Sequence, residues 1–561
     1  MAEKAKIVLP NIWGEGVLFA FSGFDGKTDI KTELVATTLP DKPGFRIRFP
    51  FEALFYPRII VDGKPLTNFL ENATFTLVCG DAIDMTIDAG DGKKIRLQYA
   101  AINNETIAGK ISCESLTGQA IVELVLESDK SGLTTAFSDG GKKREFDKPF
   151  NAVFTLSNGI FADFDFDAEF GKRLAFFHKI ALPRKCDDKI QQTLMKCYSV
   201  LKVNLHSPQG NIKYDWATPD RYPHRNMWLW DSAFDALGLR YLSREKAENS
   251  IRSILAKQTA NGFIPHMMAP YGDDSSITQP PLLCWATWRL FDAGSSMLFI
   301  ESIFPKLIKY LKQYLTLDRN GNGLLEWNEG GQESGMDNSP RFDNERHPDA
   351  IDLNSFVASE LFYLGKIAAQ LHESSTVDYC RKKRDALAKK INSLLWDEKD
   401  GLYYDLGVDG KLIKSKTVAC FTPLFAGIVL QERVERLVAH LTNSDEFNRA
   451  FPVSSTAATE PSFCGDMWRG PAWANYNFII IEGLRRYNLN KQADYIAKRT
   501  IEEIVRWYEK EGIIFEYYDS EGKNSPRELP RKGKVGGDWI HVCVKDYSWT
   551  AAVFVELVMN D

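Results

Sequence analysis

At residue 187 the hydrophobic period of this chain changes, and the residues that follow keep the new period. From DDKIQQTLMKCYSVLKV onward, apolar residues recur at three-to-four spacing, the signature of a helix with a buried face. Twelve helical segments are predicted, at about 187–206, 231–242, 244–258, 281–296, 298–316, 350–372, 375–395, 417–428, 431–442, 470–487, 490–510 and 547–560. They alternate in character. Those beginning at 244, 298, 375 and 490 are rich in Lys, Arg and Glu, whereas those at 231, 281, 350, 417, 470 and 547 are small and apolar. A helix that is apolar nearly all round is buried, and one with a polar face lies outside. Six inner and six outer helices in alternation predict an (α/α)6 barrel.

The connections alternate as well. Inner-to-outer links span a few residues, while outer-to-inner links are long, at about 207–230, 259–280, 317–349, 396–416, 443–469 and 511–546. Connections longer than about 12 residues in a compact domain usually carry function. All six lead into inner helices, so they should gather at one barrel end and wall a single pocket. The stretch GGQESGMDNSPRFD, residues 330–343, falls in the third and is expected to be loop.

Upstream of the switch, residues 1 to about 180 read as strands. KIRLQYAAI, TIAGKISCESL, AIVELVLES and NAVFTLSNG are short, β-branched or alternating, with Gly, Asp and Asn between them. This predicts an all-β sandwich over 1–183, structural or docking in role, ahead of a helical catalytic domain over 184–561. A chain of 561 residues also exceeds what one hydrophobic core usually supports.

Composition excludes several classes. Hydrophobic content of 44% and charged content of 26% are those of a globular protein. A net charge of −6 without a basic stripe argues against nucleic acid. No run of 18 apolar residues predicts a membrane span, and MAEKAKIVLPNIWGEG lacks the apolar core of a signal peptide. Nine scattered cysteines without CxxC spacing fit reduced thiols and a cytoplasmic location. Eight histidines form no HExxH pattern, so a zinc hydrolase is not expected.

Of 13 tryptophans, only Trp13 precedes residue 215. Tryptophans beside loop motifs offer flat apolar faces on which sugar rings stack. The first long connection holds RYPHRNMWLWDSAF, with Tyr222, Trp228, Trp230 and Asp231. Asp231 reads either as a helix N-cap or as a hydroxyl-binding acid. In the second, Gln279 is set ahead of its helix by two prolines, and His266 is either a buried, satisfied histidine or a pocket donor. The third holds Glu333, Gly335 and Asp337, the fifth Asp466, Trp468, Arg469 and Trp473, and the sixth Glu516, Asp519 and Trp549. Aromatics with convergent carboxylates point to glycosidic cleavage. That reaction needs one protonated acid at the leaving oxygen and a second carboxylate to activate water or to attack.

WLWDSAF, ITQPP, ESGMDNSPRF, WRGPAW and FEYYD together resemble glycoside hydrolase family 63 and its relatives. These include processing α-glucosidases, bacterial α-glycosidases and mannosylglycerate or glucosylglycerate hydrolases, with trehalases further off. The resemblance covers about 190–560 and implies an inverting, exo-acting α-glycosidase on a short glucoside or mannoside. It implies Asp337 as general acid and Glu516 as general base. It also implies a sugar site of Tyr222, Trp228, Trp230, Asp231, Gln279, Gly335, Trp468, Arg469, Trp473 and Trp549, with Glu333 supporting the acid. This chain has Phe515 where many members carry His, Asn or Tyr, and DSEGK where relatives often continue with a proline-threonine-glycine turn.

One further pattern is DRNGNGLLEWNE. Asp318, Asn320, Asn322 and Glu329 have calcium-loop spacing and would hold a structural Ca²⁺, while the same residues also make a tight turn. No cofactor is otherwise required. Two other readings of the architecture are a sugar phosphorylase, with an anion site in place of a base, and a non-catalytic carbohydrate-binding protein.

Overall fold

The computed structural model describes residues 7–128, 132–159, 163–183, 186–533 and 542–560. Two antiparallel sheets form the N-terminal part. In spatial order, one runs Leu18–Ala20, Val35–Thr38, Phe45–Phe49, Ala53–Val61, Ala120–Glu127, Lys143–Phe146, with Lys64–Pro65 beside Ala53–Val61. The other runs Thr134–Phe137, Phe150–Ser157, Thr106–Cys113, Lys94–Asn103, Ala82–Asp88, Ala73–Val78. Alternation along a strand sends every second side chain inward. Ile95, Leu97 and Tyr99 are accordingly buried, and Tyr99 meets Phe45 of the facing sheet at 4.8 Å between ring centroids. The expected β-sandwich is present.

Its C-terminal end departs from the expectation of strands to residue 180. Besides a one-turn helix α1 (Phe69–Asn72), the segment α2 (Phe166–Phe177) is helical. Phe166, Phe170, Arg173 and Phe177 are buried at helical spacing, and Asp165 caps the start by accepting from the Asp167 and Ala168 amides. A lone amphipathic turn pattern beside phenylalanine-rich strands does not stand out in the sequence.

The helices from 188 onward are α3 (Asp188–Val203), α4 (Leu229–Leu239), α5 (Arg244–Ala256), α6 (Leu283–Asp292), α7 (Met297–Tyr314), the short α8 (Gly330–Ser334), α9 (Ile351–Gln370), α10 (Ser374–Leu394), α11 (Thr422–Ala426), α12 (Gln431–Thr442), α13 (Ala474–Arg486), α14 (Asn490–Glu511) and α15 (Ser548–Met559). All twelve predicted segments are therefore helical, the one at 417–428 opening with a 3₁₀ turn over Val418–Phe421. α8 is the unexpected one, a single turn inside the stretch read as loop.

Helix α4 packs on α6, α6 on α9, α9 on α11, α11 on α13, α13 on α15, and α15 returns to α4. This cycle is the helical core, and its members are the apolar segments. Every residue of α4 is buried, as is α15 from Ser548 through Val558. On α10, by contrast, only Cys380, Leu387 and Ile391 are buried. The short connections are 240–243, 293–296, 371–373, 427–430 and 487–489, and the long ones 204–228, 257–282, 315–350, 395–417, 443–473 and 512–547.

The sandwich is fixed to the helices through buried charge. Lys202 of α3 reaches Asp25 at 3.0 Å and also pairs with Asp81. Lys196 meets Asp546 at 2.8 Å, and Asp546 also accepts the Leu18 amide at 2.9 Å. Arg221 meets Glu33 at 2.7 Å. Removing one partner of a buried pair costs about 3–5 kcal/mol, so these contacts hold the two parts in one relative placement. Among the described residues, no helix is long and apolar enough to cross a membrane.

Candidate active site

A cavity of about 370 Å³ opens where the long connections meet the inner helices. Its wall comes from the first, second, third, fifth and sixth connections and from the starts of α4 and α15. Among the described residues the fourth contributes none of the cavity lining, which comes from five connections and not the expected six. That connection acts from behind. Asp405, together with Asp352, grips the buried Arg341 beneath the third connection, at 2.9 Å from Asp405.

Asp337 and Glu516, from the third and sixth connections, face this one cavity. The Asp337 loop is held by its neighbours. Gly335 has φ of 70°, and a Cβ there would sit 2.4 Å from Trp230 Cζ2, so only glycine fits. Asn338 accepts the Trp468 amide at 2.9 Å and donates to the Asp466 carbonyl at 3.3 Å, tying the third connection to the fifth. Asp337 itself is half-buried, with Lys532 Nζ 3.3 Å from its carboxylate.

Glu516 is buried on an extended stretch pinned to its surroundings. Its amide donates to Val544 at 2.9 Å, and Ala472 and Tyr518 bridge on the other side. Arg531 donates to both of its oxygens, at 3.2 and 3.4 Å. Burial works against the Arg531 charge, but the carboxylates of Glu516 and Asp337 outweigh it and push its pKa up. The cation thus sits in the field of both acids and fixes the Glu516 carboxylate in place.

Asp231 is not an N-cap. Helix α4 begins at Leu229, and the Asp231 carboxyl takes the Tyr547 hydroxyl at 3.1 Å instead. Burial raises its pKa to about 8, with the Tyr547 bond pulling down and the Glu516 charge adding to the rise. Between the unfolded carboxyl value near 4 and this folded value, the folded chain holds a proton that the unfolded chain has lost. Stability therefore falls as pH rises through that window, by about 1.4 kcal/mol per unit from this group. Asp231→Asn removes that contribution. Its urea midpoint relative to the parent should increase between pH 5 and pH 8, and a constant difference across the window would count against a protonated Asp231.

Among the described residues, five tryptophans line the cavity: Trp228, Trp230, Trp468, Trp473 and Trp549. Trp468 and Trp473 stack on each other at 3.8 Å and 3°, and Trp549 stands edge-on to Trp230 at 5.2 Å. Gln279 bridges the Trp230 indole nitrogen and the His266 carbonyl, 3.3 Å from each. His266 is half-buried and lines the cavity, with its Nδ1 2.5 Å from Ser275 Oγ. Three residues expected at the site, two as sugar contacts and one as support for the acid, are not among those lining the cavity. Tyr222 packs beside Leu18 and Val35 of the sandwich. Glu333 is buried and accepts the Asn328 and Glu329 amides, bracing α8. Arg469 pairs with Asp343, linking two connections outside the pocket.

The 318–329 stretch closes on itself. Asp318 accepts from the Gly323 amide, Asn320 from Asn322 and Asn322 from Leu324, while both asparagine amides donate to Asp349. Glu329 stands at the start of α8, where its amide donates to Glu333, and Glu326 and Asp349 lie in electrostatic reach of Asp318.

A model of the mannosylglycerate hydrolase MGH1-like glycoside hydrolase domain matches residues 222–550. The chain belongs to this family of glycoside hydrolases. A mannosylglycerate hydrolase of Rubrobacter radiotolerans is 26% identical over 465 residues, covering 66% of this chain and 98% of that one. An uncharacterized protein of Borreliella burgdorferi is 31% identical over 206 residues, 36% of this chain and 42% of that one. The fold resembles a family 63 mannosylglycerate hydrolase of Thermus thermophilus solved with glucose. That likeness has a TM-score of 0.55 at 24% identity and covers 66% of this chain and 100% of that one.

Within this family member the residues that sequence reasoning missed are chiefly His224, Arg531, Lys532 and Tyr547. His224 lies inside RYPHRNMWLWDSAF and Tyr547 opens the last predicted helix, and their chemistry was the available signal. Arg531 and Lys532 sit in a Gly- and Lys-rich run, ELPRKGK, and no spacing rule links a cation to a carboxylate 15 residues away across an irregular loop.

Proposed function

We propose that this glycoside hydrolase is an inverting, exo-acting α-glycosidase of a short α-linked glucoside or mannoside. In this reading, a helical domain over 184–561 forms an (α/α)6 barrel and carries a sandwich over 1–183. The observation that carries it is the pairing of Asp337 and Glu516 on separate connections around one tryptophan-walled cavity, with Arg531 donating to both Glu516 oxygens. Asp337 protonates the glycosidic oxygen as the bond to the anomeric carbon breaks. Glu516 takes a proton from water, whose oxygen attacks that carbon from the opposite face. Inversion needs room for this water, a carboxyl separation of about 6.5–9.5 Å. The cavity tryptophans and Gln279 orient the sugar ring. Lys532 beside the acid supplies a cation where the leaving group departs, which suits an anionic aglycone and makes mannosyl- and glucosylglycerate the first substrates to test.

Proton NMR of the first sugar released decides the stereochemistry: the β-anomer is expected, and initial α-anomer would overturn inversion. Phosphorolysis would need a free anion site, whereas among the described residues both Arg531 and Lys532 of the cavity face carboxylates, so turnover should not depend on phosphate. The reading requires no cofactor. The 318–329 stretch is proposed as a self-closed turn, and EDTA should leave the unfolding temperature within about 1 °C, since no bound-metal free energy would be lost.

A further inference from the structure

The family model begins at residue 222, so the sandwich lies outside it, and its connection to the cavity needs its own account. Glu33 follows the sandwich's first strand and is buried against the first long connection. Its Oε2 accepts from Arg221 at 2.7 Å and its Oε1 from Arg225 at 3.0 Å. Arg221 is itself buried and donates further to the Phe21 and Leu205 carbonyls, at 2.8 and 3.1 Å, while the Arg225 guanidinium lies 3.4 Å over the Phe49 ring. One carboxylate therefore clamps both ends of a five-residue stretch. Between them stands His224, which lines the cavity.

The His224 ring is held on both sides. Its Nδ1 lies 2.6 Å from Asp220 Oδ2, and its amide donates to Asp220 Oδ1 at 3.1 Å. A carboxylate only accepts, so Nδ1 carries the hydrogen and Nε2 presents a lone pair in the neutral ring. Nε2 points to Arg531 Nη2 at 3.5 Å, and Arg531 in turn holds Glu516. The ring stands edge-on to Trp228 at 5.3 Å, at the wall where a sugar would lie.

We propose that Glu33 of the sandwich is a positioning residue for the active site, acting through Arg221 and Arg225 to set the His224 imidazole against Arg531 and the bound sugar. The sandwich thereby completes the cavity wall as well as docking on the helices. Removing the Glu33 charge leaves two cations unmatched on one short stretch, one of them buried, and the stretch carrying His224 must shift.

The inference rests on the glycosidase reading for its catalytic arm only. In the full chain, Glu33→Gln is expected to lower kcat/KM about tenfold through KM, on the best glycoside from a substrate screen. His224→Asn should do the same, and the double variant should fall no further than His224→Asn alone. Thr28→Ala, which loosens the same interface at Ser207 without touching 220–225, should keep kcat/KM. A Glu33→Gln value within twofold of the parent, or additive losses in the double variant, would overturn the proposal. A second arm needs no substrate. In ¹⁵N-histidine spectra, with His224 assigned by its loss in His224→Asn, the parent should show a fixed Nδ1–H tautomer and Glu33→Gln an averaged one. Unchanged ¹⁵N shifts would overturn the coupling. If the parent hydrolyses no glycoside, the functional reading fails and the spectra alone decide the coupling.

Discussion

Glu516→Gln should lower kcat by about 10²–10⁴-fold while KM stays within a few-fold, the scale of losing a general base. Glutamine keeps the size of the side chain and its place beneath the Val544 amide but cannot accept the proton of the attacking water. The sugar contacts come from other connections, so calorimetry with the monosaccharide product should show binding retained. A second effect accompanies the first. Arg531 is buried and donates to both Glu516 oxygens, and a neutral amide removes the carboxylate that faces it, leaving Asp337 in its field. Breaking a buried pair on one side costs about 3–5 kcal/mol, so the variant should also lose stability in a urea titration. A variant that keeps a tenth or more of the parent kcat would place the base elsewhere.

The helical fold was legible because each inner helix must be apolar all round and each outer helix cannot be. That contrast is written in composition, and α4 against α10 is its clearest case. The long and short connections followed from the same boundaries. Helix α2 was not legible, because a single amphipathic segment among phenylalanine-rich strands has no repeat to support it. The role of Asp231 was open for a different reason. An acid at a helix start reads as a cap until the Tyr547 hydroxyl, 316 residues away, is seen to claim it. Arg469 and Glu333 show the converse limit, since membership of a motif does not say whether a side chain turns to the cavity or to its own loop. Arg469 turns to Asp343, and Glu333 braces two backbone amides. Contacts within a long irregular connection depend on tertiary placement, and that is why Arg531 beside Glu516 left no trace in spacing.

Asp337→Asn should produce a loss that depends on the leaving group. For an alkyl or glycerate aglycone the departing oxygen must be protonated as the bond breaks, and kcat should fall by about 10²–10⁴-fold. A nitrophenolate departs without that proton, so with a nitrophenyl glycoside the same variant should lose far less. Asparagine can still donate a hydrogen bond to the oxygen but has no proton to give away. A merely structural role for Asp337 would lower both substrates alike, and equal losses would remove it as the acid. Structure gives little reason to expect such a collapse. The Lys532 partner is about half exposed, and an exposed ion pair contributes about 0–1 kcal/mol. The loop itself is held by Asn338 and by Gly335 against Trp230, neither of which uses the Asp337 carboxylate. With Glu516 intact, the variant still activates water, so any rate it keeps on the nitrophenyl substrate should still release the β-anomer.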